Sequence, residues 1–202
     1  MILLAGPNGA GKSTLYELAI APRLQAPFIN ADLIQRHELR DASMAAAYTA
    51  AGMAENRRQL ALKQGLSFVS ESTFSHESKL ALVDDAKRAG FRVVIYHIHV
   101  RQPELSVSRV ALRVREGGHG VPEDKIRERY ERNQPLIREA VLRADFAFVF
   151  DNSQLNVPPR CVLNFRAGRV TMAAGELPSW ASVLYADALR AFAAGQGLAD
   201  KQ

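Results

Sequence analysis

Residues 6–14, Gly6-Pro7-Asn8-Gly9-Ala10-Gly11-Lys12-Ser13-Thr14, fit the pattern G-x-x-x-x-G-K-[ST] without a gap. The five residues before them, Met-Ile-Leu-Leu-Ala, read as a strand, and Lys12 to Ala21 reads as a helix. A glycine-rich turn between strand and helix aims backbone amides at one point, and the helix N-terminus makes that point attractive to anions. Lys12 is then placed to bridge β- and γ-phosphates, and Ser13 to offer its hydroxyl to Mg²⁺. The whole stretch from Gly6 to Thr14 is expected to hold ATP with Mg²⁺.

Outward from this loop, short apolar runs alternate with longer helical patterns. Strands are expected at about 1–5, 26–30, 66–71, 92–100 and 146–150, with helices over Lys12 to Ala21, Ala42 to Gln64, Glu77 to Ala89 and Pro103 to Ala144. Gly65 and Gly90 stand where helices should stop. Such alternation with right-handed crossovers predicts a three-layer α/β/α domain around a mostly parallel five-stranded sheet. Cys161 to Phe165 and Arg169 to Ala173 flank Arg166-Ala167-Gly168 as a β-hairpin, and Ser179 to Ala193 reads as a final helix, so the tail occupies about 160–194. The 202 residues suit one domain, with no internal repeat or linker.

The stretch 103–133 reads as a helical lid. Gly117-Gly118-His119-Gly120 separates two arginine-bearing helices, the second starting at Pro122 with Glu123 and Asp124 in its first turn. Asn133-Gln134-Pro135 is expected to break or kink that helix, because proline has no N–H to donate.

Composition limits the function classes. The chain is 48% hydrophobic and 23% charged, with no run long enough to span a bilayer and no basic segment ahead of residues 1–5, so the cytoplasm is the expected location and no membrane role is expected. Cys161 is the single cysteine, which excludes an internal disulfide, and it reads as a buried strand residue. The formal charge is +5, with ten basic and seven acidic residues between Arg101 and Arg143. That balance suits a nucleic-acid-associated ATPase or polynucleotide kinase as an alternative function, but the sequence displays no aromatic-plus-basic stacking surface, which argues against a nucleic-acid partner.

Carboxylates stand at the next two strand ends. In a parallel sheet the carboxyl ends of strands face the ligand crevice. Asp32 in Phe28-Ile29-Asn30-Ala31-Asp32 fits a general base for a substrate hydroxyl, and Asp32 or Asn30 equally fits a helix cap. Glu71 in Ser67-Phe68-Val69-Ser70-Glu71-Ser72-Thr73 can hold a Mg²⁺-bound water or orient substrate, with Ser72 and Thr73 as hydrogen-bonding partners or turn formers. Arg109 and Arg113 share a helix face and can neutralise charge on a transferred phosphoryl group. Arg129 and Arg132 share another, where Arg127 with Glu131 and Glu128 with Arg132 also fit ordinary four-apart ion pairs. His119 reads as a contact of the lid tip or a surface residue, Asp151-Asn152-Ser153 as the adenine side of the site or a turn cap, and Trp180 as core.

The ordered set GPNGAGKST, INAD, SFVSEST, SRVALRVREGGHGVPEDKIRERY and VFDNS resembles the zeta-toxin-like P-loop kinases over residues 1 to about 153. The resemblance implies an ATP-dependent kinase with a small-molecule hydroxyl acceptor. In the toxins of the family the acceptor is UDP-N-acetylglucosamine or, by extension, a related sugar nucleotide. It further implies Lys12 and Ser13 as nucleotide and Mg²⁺ residues, Asp32 as base, Glu71 as substrate contact, Arg113 as γ-phosphate-facing arginine, and room for an antitoxin partner.

Overall fold

The computed structural model describes residues 1–115 and 120–199. Their centre is a seven-stranded sheet in the order β2-β3-β1-β4-β5-β6-β7. The strands β1 (Ile2–Ala5), β2 (Phe28–Ile29), β3 (Val69–Ser72), β4 (Val94–His99) and β5 (Phe146–Asp151) run parallel. Leu3, Leu4 and Ala5 are almost wholly buried, as expected of the middle strand of a parallel sheet, whose residues face helices or neighbours on both sides.

Two strands exceed the five expected. The hairpin strands β6 (Arg160–Arg166) and β7 (Arg169–Ala173) add to the β5 edge in antiparallel fashion. The alternating pattern of a hairpin is the same whether it stands alone or extends a sheet, so only its docking reveals the larger sheet.

The first helix, α1 (Lys12–Leu15), runs into a π-helical turn at Tyr16–Ile20. After β2 comes an element the periodicity did not mark: α2 (Ala31–Leu33) continues as π-helical turns over Ile34–Leu39 and ends at Arg40, whose φ is 52°. Then follow α3 (Met44–Lys63), α4 (Ser78–Arg88), α5 (Pro103–Arg115) and α6 (Glu123–Arg143). The C-terminal segment holds α7 (Ser179–Leu184) and α8 (Ala186–Ala199) in place of one helix. No described helix is long and apolar enough to cross a membrane.

Pro135 does not interrupt α6. Ile126, Tyr130, Ile137, Ala140 and Val141 form a buried stripe along this helix, and such packing outweighs one missing backbone hydrogen bond. Asn133 is fully buried beside it and donates from Nδ2 to the Thr73 carbonyl at 3.0 Å, which ties α6 to the end of β3.

The layers on the two faces are unequal. One large cluster joins the sheet to buried residues of α3, α4, α6 and α7, including Ala50, Leu82, Ile137 and Trp180, and α8 adds Leu189 and Phe192. On the other face, Leu15 of α1 and Ile20 close over Leu4, Val69 and Ile98. Cys161, expected to be buried, is half-buried in β6, with Sγ 3.1 Å from Asn164 Oδ1, because its strand lies beyond the cover of α1.

Candidate active site

The phosphate-binding loop is pinned from both sides. Gly6 passes so close to β4 that a Cβ would lie 2.0 Å from the Ile98 carbonyl oxygen, so no side chain fits. Gly11 has φ of 92°, a backbone conformation that favours glycine, and a Cβ there would meet Asn152 Nδ2 at 2.4 Å. That same Nδ2 donates to the Ala10 carbonyl at 2.8 Å, while the Asn152 N–H donates to the His99 carbonyl at 2.8 Å. Asn152, which the sequence left between an adenine contact and a turn cap, therefore clamps the loop to the ends of β4 and β5. Its neighbours lie behind it: Asp151 Oδ1 accepts from Ser153 Oγ (2.6 Å) and from Trp180 Nε1 (2.9 Å). Trp180 is core, as expected.

Lys12 is 6% exposed. Its Nζ donates to the Gly6 and Pro7 carbonyls at 3.0 and 2.9 Å and lies 3.7 Å from Glu71 Oε1. Burial pulls its pKa down, and the charge of Glu71 opposes this. Glu71 Oε2 accepts from Ser13 Oγ at 2.7 Å and from Asn30 Nδ2 at 2.9 Å. One carboxylate thus joins the lysine, the helix-start serine and the end of β2.

The ambiguity at the second strand resolves. Asn30 is the cap: its Oδ1 accepts from the N–H groups of Asp32 (2.7 Å) and Leu33 (3.2 Å). The Asp32 side chain, 51% exposed, lines the cleft, and its Oδ2 lies 3.8 Å from Arg113 Nη1. Arg109 from the same helix reaches the loop instead, with Nη1 3.5 Å from the Gly9 carbonyl and Nη2 3.1 Å from that of Gln154.

These groups share one cleft of about 560 Å³. Asn8, Gly9, Gly11, Lys12, Ser13 and Thr14 line its floor, with Asp32, Glu71, Ser72, Thr73, Arg109, Arg113 and Asn152 around them. Gly6, Pro7 and Ala10 shape the loop from behind. Ser72 and Thr73 bend the chain: Ser72 Oγ accepts from the Phe74 N–H at 2.9 Å, and Thr73 Oγ1 shares a hydrogen bond with Ser75. Arg129 lines the cleft but Arg132 does not, its guanidinium being held by Glu128 at 2.8 Å. The expectations for Gly117, Gly118 and His119 lie outside the described residues.

The far half of the cleft contains residues that sequence reading missed. Met44, Ala47, Ala51 and Ala54 lie on one face of α3 and form a wall of small side chains. Arg58 and Lys79 both hold Glu55, at 2.7 and 2.9 Å. Although burial alone would raise it, hydrogen bonds from Lys79, Arg58 and Gln59 hold the Glu55 carboxyl down at about 2. Opposite stand Lys125 and Arg129 of α6. The alanine-rich run 45–54 was the one available signal, and an alanine stripe reads equally well as helix packing.

The sequence profile of the family described as zeta toxin matches residues 1–157. The chain belongs to the zeta toxin family. A Haemophilus influenzae protein described as uncharacterized is 33% identical over 132 residues, which cover 64% of this chain and 91% of that one. Among solved structures, this zeta toxin family member is similar to a chain of the Streptococcus pneumoniae PezAT chromosomal toxin-antitoxin system, with TM-score 0.60, 18% identity and coverage of 94% and 84% of the two chains. It is also similar to a chain of the AvrRxo1-ORF1:-ORF2 complex solved with ATP, with TM-score 0.63, 16% identity and coverage of 85% of this chain and 59% of that one. It thus spans less than two thirds of that AvrRxo1 chain. Together with a likeness to a shikimate kinase of Acinetobacter baumannii, these matches establish a P-loop kinase fold.

Proposed function

We propose that the chain is an ATP-dependent kinase that phosphorylates a hydroxyl group of a small molecule, with Asp32 as general base. The observation that carries this reading is the Asp32–Arg113 pair standing over the Lys12, Ser13 and Glu71 cluster in a single cleft. The residues fit a nucleotide and its metal. The pinned glycine loop lines the cleft floor, Lys12 supplies a buried cation, and Ser13 with Glu71 offers the oxygen donors that Mg²⁺ takes. ATP supplies the γ-phosphoryl group, and Mg²⁺ when bound neutralises charge on the phosphate oxygens.

The chain's own groups divide the remaining work. Asp32 Oδ2 would accept the proton of the acceptor hydroxyl as that oxygen bonds to the γ-phosphorus and the bond from that phosphorus to the β–γ bridging oxygen breaks, releasing ADP. Arg113, already beside Asp32, meets the charge of the moving phosphoryl group. Arg109 steadies the loop at Gly9. Helices α5 and α6, with Val121 and Pro122 ahead of α6, line the cleft from one side, and their closing over the two substrates would exclude water from the reacting oxygen. The match to residues 1–157 and the likeness to kinases support this reading without identifying the acceptor. UDP-N-acetylglucosamine is the first candidate. Function in the cytoplasm as one folding unit belongs to the same reading, and the likeness to PezAT makes an antitoxin the proposed partner.

The test is phosphoryl transfer from ATP to UDP-N-acetylglucosamine and to a fractionated metabolite extract, read as a mass shift. Asp32→Asn should lower transfer by about 10² or more while ATP affinity stays as in the wild type. Equal transfer by the variant removes Asp32 from the chemistry.

A further inference from the structure

The face of the sheet that α1 covers is only partly closed. Over β1 and β3 the helix does its work, and Tyr96 and Phe150 pack against the margin of the cluster beneath it, but Phe146 and Phe148 of β5 pack against neither buried cluster. Strand register places Val94 beside Phe146, Tyr96 beside Phe148 and Ile98 beside Phe150, so every second residue of β4 and β5 faces this side. The rings of Tyr96 and Phe148 lie 5.2 Å apart, and those of Tyr96 and Phe150 lie 6.0 Å apart and nearly parallel. All of these rings are half-buried, which leaves part of each open to solvent on an extended β surface.

Guanidinium groups surround the rings. Arg92 and Arg166 lie 5.9 and 5.8 Å from the centre of Phe146, within the range of a cation–π contact. Arg169 of β7 pairs in register with Arg166, which extends the positive edge outward. At the other margin Arg23 is close enough to Tyr96 for its charge to oppose the upward pull that burial exerts on the phenol. Among the described residues none of these four arginines is in an ion pair, whereas Arg57, Arg127 and Arg143 elsewhere on the surface each hold a carboxylate. An exposed arginine left without a carboxylate keeps its charge available for an outside anion.

We infer that this face binds single-stranded nucleic acid: bases stack on Tyr96, Phe148 and Phe150, and phosphates meet Arg23, Arg92, Arg166 and Arg169. Stacked ring faces flanked by guanidiniums suit unpaired bases joined by phosphates. A duplex keeps its base faces covered and gains only the charge term. An acidic peptide likewise supplies charge but gains little from a row of partly exposed rings. The site is separate from the phosphate-binding cleft, so it stands whether or not the kinase reading holds.

Fluorescence anisotropy with a fluorescein-labelled 12-nucleotide single strand, as RNA and as DNA, tests this on the full chain with the cleft filled by a non-hydrolysable ATP analogue. The expected result is binding about tenfold tighter than to the matching duplex, for at least one of the two strands. Phe148→Ala should weaken it by about fivefold or more. The exposed double change Arg166→Glu with Arg169→Glu, which leaves the core untouched, should flatten the log–log salt dependence by about 1.4, or 0.7 for each lost phosphate contact. Duplex binding as tight as single-strand binding, or no effect of either variant, overturns the inference. So does an oligoglutamate peptide that binds through the same arginines while the oligonucleotides do not, a result that assigns the face to an acidic protein segment.

Discussion

In the half of the cleft proposed to hold the donor, Lys12 is 6% exposed and its ammonium has three oxygens within 3.7 Å. In the half proposed for the acceptor, Asp32 is 51% exposed and has Arg113 at 3.8 Å. The difference extends to the scaffolding. The donor loop is fixed by Gly6 and Gly9, which pass too close to β4 and α5 to carry a side chain, and by the Asn152 clamp. The acceptor wall is a helix face of Met44, Ala47, Ala51 and Ala54, with Lys125 and Arg129 across from it. A donor site that receives one nucleotide gains from being built in advance, because little is then lost in ordering it. An acceptor wall of small side chains instead lets a change of one residue alter which molecule fits.

The comparison breaks first at Lys12. Lys12→Met keeps the length and apolar stem of the side chain but removes the one cation at the base of the loop. Turnover of ATP should fall by about 10³, the upper end of what one electrostatic donor contributes to a transition state. A radiometric or coupled assay measures it. The unfolding midpoint should move little, since burial of the charged amine is itself a cost that the variant relieves. A variant that unfolds instead shows that Lys12 braces the loop and that the donor half is not preformed without it.

This contrast also explains what could be read from the chain. Nine consecutive residues carry the donor loop, and a strand and a helix on either side of it are legible from apolar pattern. Asp32 and Glu71 were legible because parallel strands put their carboxyl ends at one edge. The acceptor wall was not, because Ala47, Ala51 and Ala54 have no chemistry of their own and reach the cleft only when α3 packs. Asn152 was ambiguous for a similar reason: its amide is informative only once Ala10 lies against it. The sequence also shows no aromatic-plus-basic surface, since Tyr96, Phe148 and Arg166 meet only across three strands of the folded sheet, and Arg23 and Arg92 join them from loops. The helical turns over 31–39 and the unbroken α6 differ from expectation because tertiary packing overrides the local preferences around Leu33 and Pro135.

Acid should act on the buried histidines behind the donor half. His97 shares a hydrogen bond with Tyr185 (2.8 Å), and His99 lies between the rings of Tyr130 and Trp180, at 4.8 and 4.6 Å. Burial, reinforced by the neighbouring His99, pulls the pKa of His97 well below the ordinary value; burial pulls that of His99 to about 3 against the opposing charge of Asp151. Both rings are therefore neutral in the fold, while the unfolded chain takes up protons below about pH 6.5. Stability is complete above that pH and falls as the pH is lowered toward 3. With as many as two protons taken up on unfolding, the unfolding constant should rise about tenfold from pH 7 to 6 and about sixtyfold from pH 6 to 5. Denaturant titrations at pH 7, 6 and 5 measure this slope, and His99→Phe should reduce it by about half. ATP affinity of the wild type at pH 6 should follow the folded fraction, because the His99 carbonyl holds Asn152 and so the loop.

The smallest effect sharpens the comparison most. Ala51 lines the acceptor wall on an exposed turn of α3, so Ala51→Leu places three extra carbons in the cleft without disturbing the core. Overfilling a packed contact costs about 1–3 kcal/mol, which corresponds to a rise of roughly tenfold in the acceptor KM. Because the donor loop is fixed by contacts with β4 and Asn152, none of which involves α3, the ATP KM should not change. The two constants are measured by varying each substrate at saturation of the other. A parallel rise in both would mean that the two halves close as one unit, with α3 moving against the loop when either substrate binds. A rise confined to the acceptor places specificity in the wall of α3, and substitutions at Ala47 and Ala51 would then retune the acceptor without rebuilding the phosphate site.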